Sequence, residues 1–309
     1  MRPGVIGYRG TRLALTGPRR RLEVPIGAVT LLLGFGRPVR ISGLEQPGLE
    51  RPGRAGPGRP PVSLVSVLSG LGTTPVLGEQ DGRLAGIEVL LMPWAAFTLF
   101  GTALYELADR TLDPDALGVR PDPGRWESVA ELADALGALP SWPARFHLLD
   151  EVFARWAAAG PPPSPRTVRA WAGLVRSGGT APVGRLAEEV GWSVRQLENR
   201  FREQIGIGPK AAGRVLRLQR ARGMLAAGHG QAETAAACGY YDQAHLSGEF
   251  KALTGCTPRQ FTRARDAASA PAADRLDGQP TSLVLPAGPA VPRAVLSPSA
   301  LFSKTGRRR

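Results

Sequence analysis

The chain has 309 residues, of which 43% are hydrophobic, and its formal net charge is +13. This share of apolar residues excludes a chain that is disordered throughout, while 39 glycines and 29 prolines predict many turns and loops. Two cysteines, Cys238 and Cys256, are too few for a disulfide scaffold or a four-thiolate zinc site, and no charged and then apolar leader opens the chain. We therefore expect a cytoplasmic protein without a cofactor.

The positive charge is concentrated in one part of the chain. Residues 1–165 carry 17 arginines against 16 acidic residues, residues 166–265 carry 16 basic and 7 acidic residues, and residues 266–309 carry 6 and 3. A bias of the coding sequence would explain 36 arginines against 3 lysines. It would not explain why the acidic residues nearly equal the basic residues in number only in the first segment. A basic stretch of one hundred residues is typical of a protein that binds a polyanion.

Short apolar runs bounded by glycine and proline predict strands in the first half, at Val29–Phe35, Ser63–Leu68 and Ile87–Met92. Between the first two, Gln46–Pro61 has no apolar periodicity and is predicted to be a mobile loop.

The longest apolar run, Val89–Tyr105, is the one candidate for a membrane span. It is only 17 residues long, contains Pro93 and Gly101, and has no basic residue at either end, so we expect no membrane association. A strand followed by a helix that begins at Pro93 fits better, since proline is favoured at the first helical position.

Helical periodicity begins after Asp113, with one apolar face that starts at Val129 and another that ends at Trp156. The first half is therefore predicted to be a mainly β domain with trailing helices, over residues 1–160. Residues 161–165, within the segment GPPPSP, are predicted to be an extended linker. A second, all-α domain over residues 166–265 makes the whole chain α+β, and residues 266–309 are predicted to be a disordered tail.

The stretch from Val183 to Ile205 has the layout of a helix-turn-helix. The apolar face of its first helix consists of Val183, Leu186, Ala187 and Val190. Gly191 ends that helix, and Ser193 with Gln196 forms a capping box that begins the next. The inward positions of the second helix are Val194, Leu197, Phe201 and Ile205. Its remaining face carries side chains that can hydrogen-bond base edges and phosphates, namely Arg195, Gln196, Asn199 and Arg202.

The same pattern occurs a second time. Five positions of the first copy recur 48 or 49 residues later, with Gly191, Leu197, Phe201, Gly206 and Pro209 matched by Gly239, Leu246, Phe250, Gly255 and Pro258. The second copy has a first-helix face of Ala232, Ala235 and Ala236, a predicted N-cap at Asp242, and exposed second-helix residues at Gln243, Ala244, His245, Ser247 and Lys251.

A helix over Lys210–Ala227 is predicted to join the two copies. Val215, Leu218 and Leu225 are its inward residues, and Arg214, Arg217, Arg220 and Arg222 its more exposed ones. A helix of 18 residues is about 27 Å long, near the ~34 Å between successive major-groove faces. One chain can therefore present both second helices to one side of a DNA duplex.

The segments GWSVRQLENRFREQIGIGPKAAGRVLRLQRA and ACGYYDQAHLSGEFKALTGCTPRQF carry a resemblance to a known family. They resemble the two-subdomain DNA-binding region of AraC/XylS-type transcriptional regulators. The resemblance covers residues 166–265 and implies seven helices, with Ser193–Ile205 and Asp242–Thr254 as the helices that read DNA. Two departures, Gly248 where arginine is usual and Asn199 where a basic residue is common, imply that the second of these helices binds phosphate less tightly.

The first half resembles, more loosely, the sensor portion of a subset of these regulators. The resemblance favours a small-molecule effector domain over a pure dimerisation module, without identifying the ligand. Together, the two resemblances imply double-stranded DNA as a partner, with a small-molecule effector, RNA polymerase and a second copy of the chain as candidate partners.

An enzyme would need a site that the sequence does not offer. The chain has no P-loop, no G-x-S-x-G and no H-E-x-x-H, and its three histidines, His147, His229 and His245, are scattered. We therefore expect neither catalytic residues nor a metal site. The alternative to a sequence-specific regulator is a basic module that binds nucleic acid or protein without sequence specificity.

Overall fold

The computed structural model describes residues 4–14, 17–43, 61–80, 82–119, 124–267, 275–276, 279–280, 282–284 and 301–305. The strands are β1 (Val5–Ala14), β2 (Arg19–Glu23), β3 (Val29–Gly34), β4 (Val39–Gly43), β5 (Val62–Leu64), β6 (Val67–Ser69), β7 (Val76–Gln80), β8 (Arg83–Leu91), β9 (Thr111–Leu112), β10 (Arg275–Leu276), β11 (Gln279–Pro280), β12 (Ser282–Val284) and β13 (Leu301–Thr305). The helices are α1 (Pro93–Phe100), α2 (Val129–Ala138), α3 (Trp142–Ala159), α4 (Pro165–Arg176), α5 (Val183–Val190), α6 (Val194–Ile205), α7 (Pro209–Ala226), α8 (Gln231–Ala237), α9 (Gln243–Thr254) and α10 (Pro258–Ala267).

Two antiparallel sheets form the first half of the chain. One has the order β13-β1-β8-β3-β6-β9, and the other has the order β12-β2-β7-β4-β5. Alternate residues of both sheets line one cavity of about 160 Å³. In β3, for example, Thr30 and Leu32 line this cavity, whereas Leu31 and Leu33 are fully buried in the core on the other face. The period of two in a strand thus gives the first sheet a cavity face and a core face.

Helices α1 to α3 belong to the core that covers the second face of this sheet. It contains a group of aromatic residues: Tyr8 stacks on Phe146, and Phe153 packs against both Tyr8 and Trp156. The hydroxyl of Tyr8 donates a hydrogen bond of 2.8 Å to Asp150 Oδ1 in α3. The predicted mainly β domain with trailing helices is confirmed, as is the α+β class of the chain.

The predicted strands and helices of the first half are largely confirmed, with one difference. The segment predicted as a single strand, Ser63–Leu68, forms two strands that are separated by a bend at Val65 and Ser66. The first of them pairs with β4 in one sheet and the second with β3 in the other. The chain therefore crosses between the sheets within an apolar run, which hydrophobicity alone does not signal. The predicted loop Gln46–Pro61 lies outside the described residues, except for Pro61.

Four short strands lie within the predicted tail, residues 266–309, after helix α10 ends at Ala267. Of these, β12 pairs with β2 and β13 pairs with β1. The edges of the two sheets offer backbone hydrogen-bonding groups with which a short segment can pair.

The second half has the seven helices that the family resemblance implied, α4 to α10, within residues 165–267. Its buried side chains are not separate from those of the first half. One hydrophobic cluster contains Phe97 and Phe153 together with Trp171 and Phe201, and a second joins Leu22 of β2 to residues of α7 to α10. The two halves therefore share their apolar cores across residues 161–164.

In the described part of the chain, no helix is both long enough and apolar enough to cross a lipid bilayer.

The turn between α4 and α5 provides a test of how closely the first helix pair packs on α7. Gly179 has a φ of +85°, and a Cβ atom there would lie 2.2 Å from the carbonyl oxygen of Gly213. We expect Gly179→Ala to lower the free energy of unfolding by about 2 kcal/mol or more, because left-handed backbone and backbone overlap both penalise a side chain. Urea unfolding of the full chain measures this.

Gly184→Ala is the matched control. Gly184 lies in α5, and a Cβ atom there would meet nothing within 4 Å. The same substitution should raise stability there by about 0.5 kcal/mol, because alanine favours the helix. Equal effects of the two substitutions would contradict the close contact between Gly179 and α7.

Candidate DNA-binding surface

The first helix pair is built as its capping residues predict. Helix α5 ends at Gly191, whose φ of 67° is in the left-handed region. The backbone N–H of Gln196 donates to Ser193 Oγ at 3.3 Å, and the backbone N–H of Ser193 donates to Gln196 Oε1 at 2.9 Å. Both halves of the predicted capping box are therefore present at the start of α6. The Oε1 atom of Gln196 therefore accepts a hydrogen bond within this cap.

Helix α6 has a buried face and an exposed face. Leu197, Phe201 and Ile205 are fully buried, as predicted. Arg195, Gln196, Asn199 and Arg202, the predicted DNA contacts of this helix, are all exposed. Val194 was predicted to point inward, and this is wrong, since it is 45% exposed. It is the first residue of α6, ahead of the turn at which burial begins.

The second helix pair repeats this arrangement with a different cap. Asp242 Oδ1 accepts the backbone N–H of His245 at 2.7 Å and so begins α9. Leu246, Phe250 and Leu253 are its buried residues. Of the predicted contacts, Gln243, Ala244, His245 and Lys251 are exposed and Ser247 is partly exposed.

The predicted buried face of α8, Ala232, Ala235 and Ala236, is only partly correct. Thr234, Ala235 and Cys238 are the buried residues of this segment, whereas Ala232 and Ala236 are exposed. Alanines lie on all sides of the sequence QAETAAAC, so hydrophobicity alone does not mark which side faces the core.

The ring of His245 is held in place at the start of α9. Its Nδ1 accepts the backbone N–H of Tyr241 at 3.2 Å, and the ring meets the edge of Tyr240 at 5.4 Å between centroids. With Nδ1 as an acceptor, the neutral ring carries its proton on Nε2. Nε2–H is the donor group available to a guanine or adenine acceptor in a major groove.

Helix α7 connects the two pairs and is linked to the second by an ion pair. Arg214 donates from Nε to Glu249 Oε2 at 2.7 Å and from a terminal nitrogen to Oε1 at 3.0 Å. This bidentate contact fixes α9 against α7 at one position and orientation. A cleft of about 630 Å³ lies beside it, lined by both helix pairs and by α7, with Lys210, Arg217 and His245 among its residues.

One arginine of α7 departs from the prediction of an exposed basic face. Arg222 is fully buried, with its guanidinium carbon 5.9 Å from the centre of the Phe261 ring in α10. Burial lowers its pKa to about 10, which still leaves it charged at neutral pH. The rule that arginine is exposed fails here because α10 covers this end of α7.

The back of α6 lies against the first half of the chain. The backbone N–H of Ser164 donates to Gln204 Oε1 at 2.9 Å, and Gln204 is itself buried. A Cβ atom at Gly206 would lie 3.0 Å from the carbonyl oxygen of Leu104. Helix α6 is thus supported from behind by the first half and exposed in front.

Neither Cys238 nor Cys256 forms a disulfide bond, and burial raises the pKa of each thiol. Cys238 Sγ lies 3.7 Å from Met224 Sδ, inside the second hydrophobic cluster. Among the residues that the structure describes, no three His, Cys, Asp or Glu side chains come together as a metal site would require.

Residues 186–264 match a protein-family model described as a helix-turn-helix domain. The matched range contains both capped helices, α6 and α9, and the connecting helix α7. The second half of the chain is a helix-turn-helix domain of the AraC type. The chain therefore carries a DNA-binding domain of the helix-turn-helix class.

Three solved structures illustrate what this chain is similar to. One is a transcriptional regulator with an AraC-type DNA-binding domain from Chromobacterium violaceum, 29% identical, with 34% of this chain and 96% of that chain covered and a TM-score of 0.32. Another is the C-terminal domain of AraT, a response regulator from Geobacillus stearothermophilus, 24% identical, with 33% and 88% covered and a TM-score of 0.32. The third is ToxT from Vibrio cholerae, 10% identical, with 84% and 98% covered and a TM-score of 0.44. No curated protein sequence matches the chain.

The ion pair between α7 and α9 of the AraC-type domain provides a test of how α9 is held. In a double-mutant cycle with Arg214→Met and Glu249→Gln, we expect a coupling free energy of about 1 kcal/mol, because the contact is bidentate and partly buried. Urea unfolding of the four proteins measures it.

The exposed pair of Arg200 and Glu203, three residues apart in α6, is the control. Its coupling should be no more than about 0.5 kcal/mol. A coupling at Arg214 and Glu249 as small as this would show that the pair does not hold α9.

Proposed function

We propose that this protein is a sequence-specific transcriptional regulator whose two capped helices, α6 and α9, read neighbouring turns of one DNA duplex. The observation that carries the proposal is that both helices bury an apolar face and expose a face of side chains able to bond base edges. In α6 these include Arg195 and Asn199, and in α9 Gln243 and His245. Arginine suits guanine, and asparagine or glutamine suits adenine.

Each reader has a different electrostatic character. The exposed face of α6 carries Arg195 and Arg202, whereas the first turn of α9 exposes Gln243, Ala244 and His245. Binding through α6 should therefore depend on arginine contacts to bases and phosphates, and binding through the start of α9 on neutral donors and acceptors.

We expect Arg195→Ala to weaken binding to the preferred sequence by about 1–3 kcal/mol and to relax the preference at one base pair. Lys251→Ala should instead weaken binding to all duplexes nearly alike and reduce the salt dependence by about one charge. The preferred sequence is first selected from random duplexes with the full chain, and dissociation constants are then measured by electrophoretic shift across a salt series.

Arg200→Ala is the matched control, because Arg200 lies in the same helix and is exposed but paired with Glu203 at 2.8 Å. It should leave the base preference unchanged. If random duplex binds as tightly as the selected sequence, the protein is instead a basic nucleic-acid module without sequence specificity. Two symmetrical half-sites in the selected DNA would indicate that two copies bind together.

We further propose that a small molecule in the cavity between the two sheets controls this binding. The side chains that line the cavity are about half apolar, among them Leu32, Val39 and Ile41, and about half polar or charged, and Arg21 and Glu23 place an ion pair of 3.2 Å on its wall. Such a lining suits a compact ligand that has both an apolar part and polar or charged groups.

The wall of the cavity also touches the DNA-binding domain. The segment Val24–Ala28 joins β2 to β3, and all of its residues except Gly27 line the cavity. Gly27 faces the other way: its N–H donates to Gln219 Oε1 in α7 at 2.9 Å, and it lies close to Leu216. A ligand that moves this segment would therefore act on the helix that joins the two readers, provided that it binds two arrangements unequally.

Two substitutions separate ligand binding from its transmission. A screen of small carboxylic acids and amides by thermal unfolding identifies compounds that raise the midpoint of the wild-type protein. We expect Leu32→Trp, which fills the cavity, to abolish that rise. Gln219→Ala should keep the rise but reduce the effect of the compound on DNA affinity.

An unchanged rise with Leu32→Trp would place the ligand elsewhere in the chain. An unchanged effect on DNA affinity with Gln219→Ala would show that the Gly27 contact does not transmit ligand binding.

A further inference from the structure

Tyr241 is the most exposed of the large hydrophobic side chains in the described part of the chain, at 93%. It lies in the turn of the second helix pair, one residue before the Asp242 cap of α9. A single exposed aromatic residue is ordinary on a protein surface, so exposure by itself assigns no role.

The turns of the two helix pairs differ by one residue, and that residue is Tyr241. In the first turn, Trp192 alone stands between Gly191 and the Ser193 cap, and it is partly buried with the guanidinium carbon of Arg166 5.7 Å from its ring centre. In the second turn, Tyr240 is 5% exposed and occupies the core position. Tyr241 is therefore additional to the packing of the turn.

The backbone of Tyr241 is nonetheless held against the reading helix. Its N–H donates to Nδ1 of His245, whose own N–H donates to Asp242. The Cα atom of Tyr241 is thus fixed next to the first turn of α9. That turn exposes Gln243 and His245, the side chains that we assign to base edges.

The charge at this end of α9 favours a neutral contact to DNA. The exposed residues of the first turn are neutral, and Asp242 beside them is acidic, while Lys251 lies two turns further along. A phosphate that flanks the bases read here meets no lysine or arginine from the first turn of α9. A tyrosine hydroxyl is one of the neutral groups that bond phosphate oxygens in protein–DNA interfaces.

We propose that Tyr241 is a DNA contact of the second helix pair. Its hydroxyl donates to a backbone phosphate next to the bases that Gln243 and His245 read, and its ring packs on the adjoining deoxyribose. The inference rests on the proposed function, because it takes α9 as a DNA reader. It adds a residue outside the reading helix to the contact surface.

The neutral character of this contact gives it a distinct signature. A lysine or arginine that binds phosphate releases counterions, and its loss reduces the salt dependence of binding. Loss of Tyr241 should weaken binding and leave that dependence unchanged. This outcome separates Tyr241 from Lys251.

The test uses the full chain and its selected DNA sequence. We expect Tyr241→Ala to weaken binding about tenfold at every salt concentration, with an unchanged slope, because a hydrogen bond to a charged group is lost together with the ring contact. Tyr241→Phe should weaken binding less, since it keeps the ring. Tyr105→Ala, which removes an exposed tyrosine of the first half, should have no effect.

A photocrosslinking measurement tests the contact without removing it. A benzophenone amino acid in place of Tyr241 should form a covalent adduct with the DNA on irradiation, and the same probe in place of Tyr105 should form none. Wild-type affinity for Tyr241→Ala together with no adduct at position 241 would overturn the inference and leave the proposed function intact. Selection that enriches no sequence would instead refute the proposed function, while an adduct at position 241 would still support the contact.

Discussion

The packing of α7 against both helix pairs holds the DNA-binding domain together. Its first part contributes Val215 and Leu216 to the cluster that holds the first reader, and its second part contributes Leu218 and Leu225 to the cluster that holds the second. Because one continuous helix belongs to both clusters, the distance between the readers is set by helix geometry rather than by a flexible connection. Glu249 adds a directional contact from α9 to the same helix.

The two helix pairs repeat one plan with unequal chemistry. Both begin their second helix with a side-chain cap, but the first uses Ser193 with Gln196, and the second uses Asp242 with the ring of His245 turned back onto Tyr241. The first reader exposes arginines and is supported from behind by the first half of the chain. The second exposes neutral side chains at its start. The repeat therefore provides two surfaces that suit different features of a duplex, and the charge of the chain is not shared equally between them.

The first half joins a cavity and a contact surface through one short segment. Residues of Val24–Ala28 line the space between the sheets, and Gly27 in the same segment donates to Gln219 of α7. Leu22 of β2 lies in the second hydrophobic cluster, so the strand before this segment also packs on the DNA-binding domain. Packed cores have few intermediate arrangements, and a change at the cavity wall would therefore reach α7 as a shift between discrete packings.

Features that depend on local patterns could be predicted from the order of residues alone. The repeat of glycine, leucine, phenylalanine and proline at an offset of 48 or 49, the caps at Ser193 and Asp242, and the helical start at Pro93 all required only short-range information, and each has its predicted form. The exposed faces of α6 and α9 follow from the same periodicity, because a stripe of apolar residues leaves the opposite side to solvent.

Which neighbours cover a residue could be learned only from the folded protein. Arg222 is buried because α10 lies over it, Ala232 is exposed because α8 turns Thr234 toward the core, and the apolar run at Val65 bends between two sheets. The contact between Gly27 and Gln219 joins residues 192 positions apart. Such contacts depend on how whole elements pack, and a pattern that repeats every two or four residues carries no record of them.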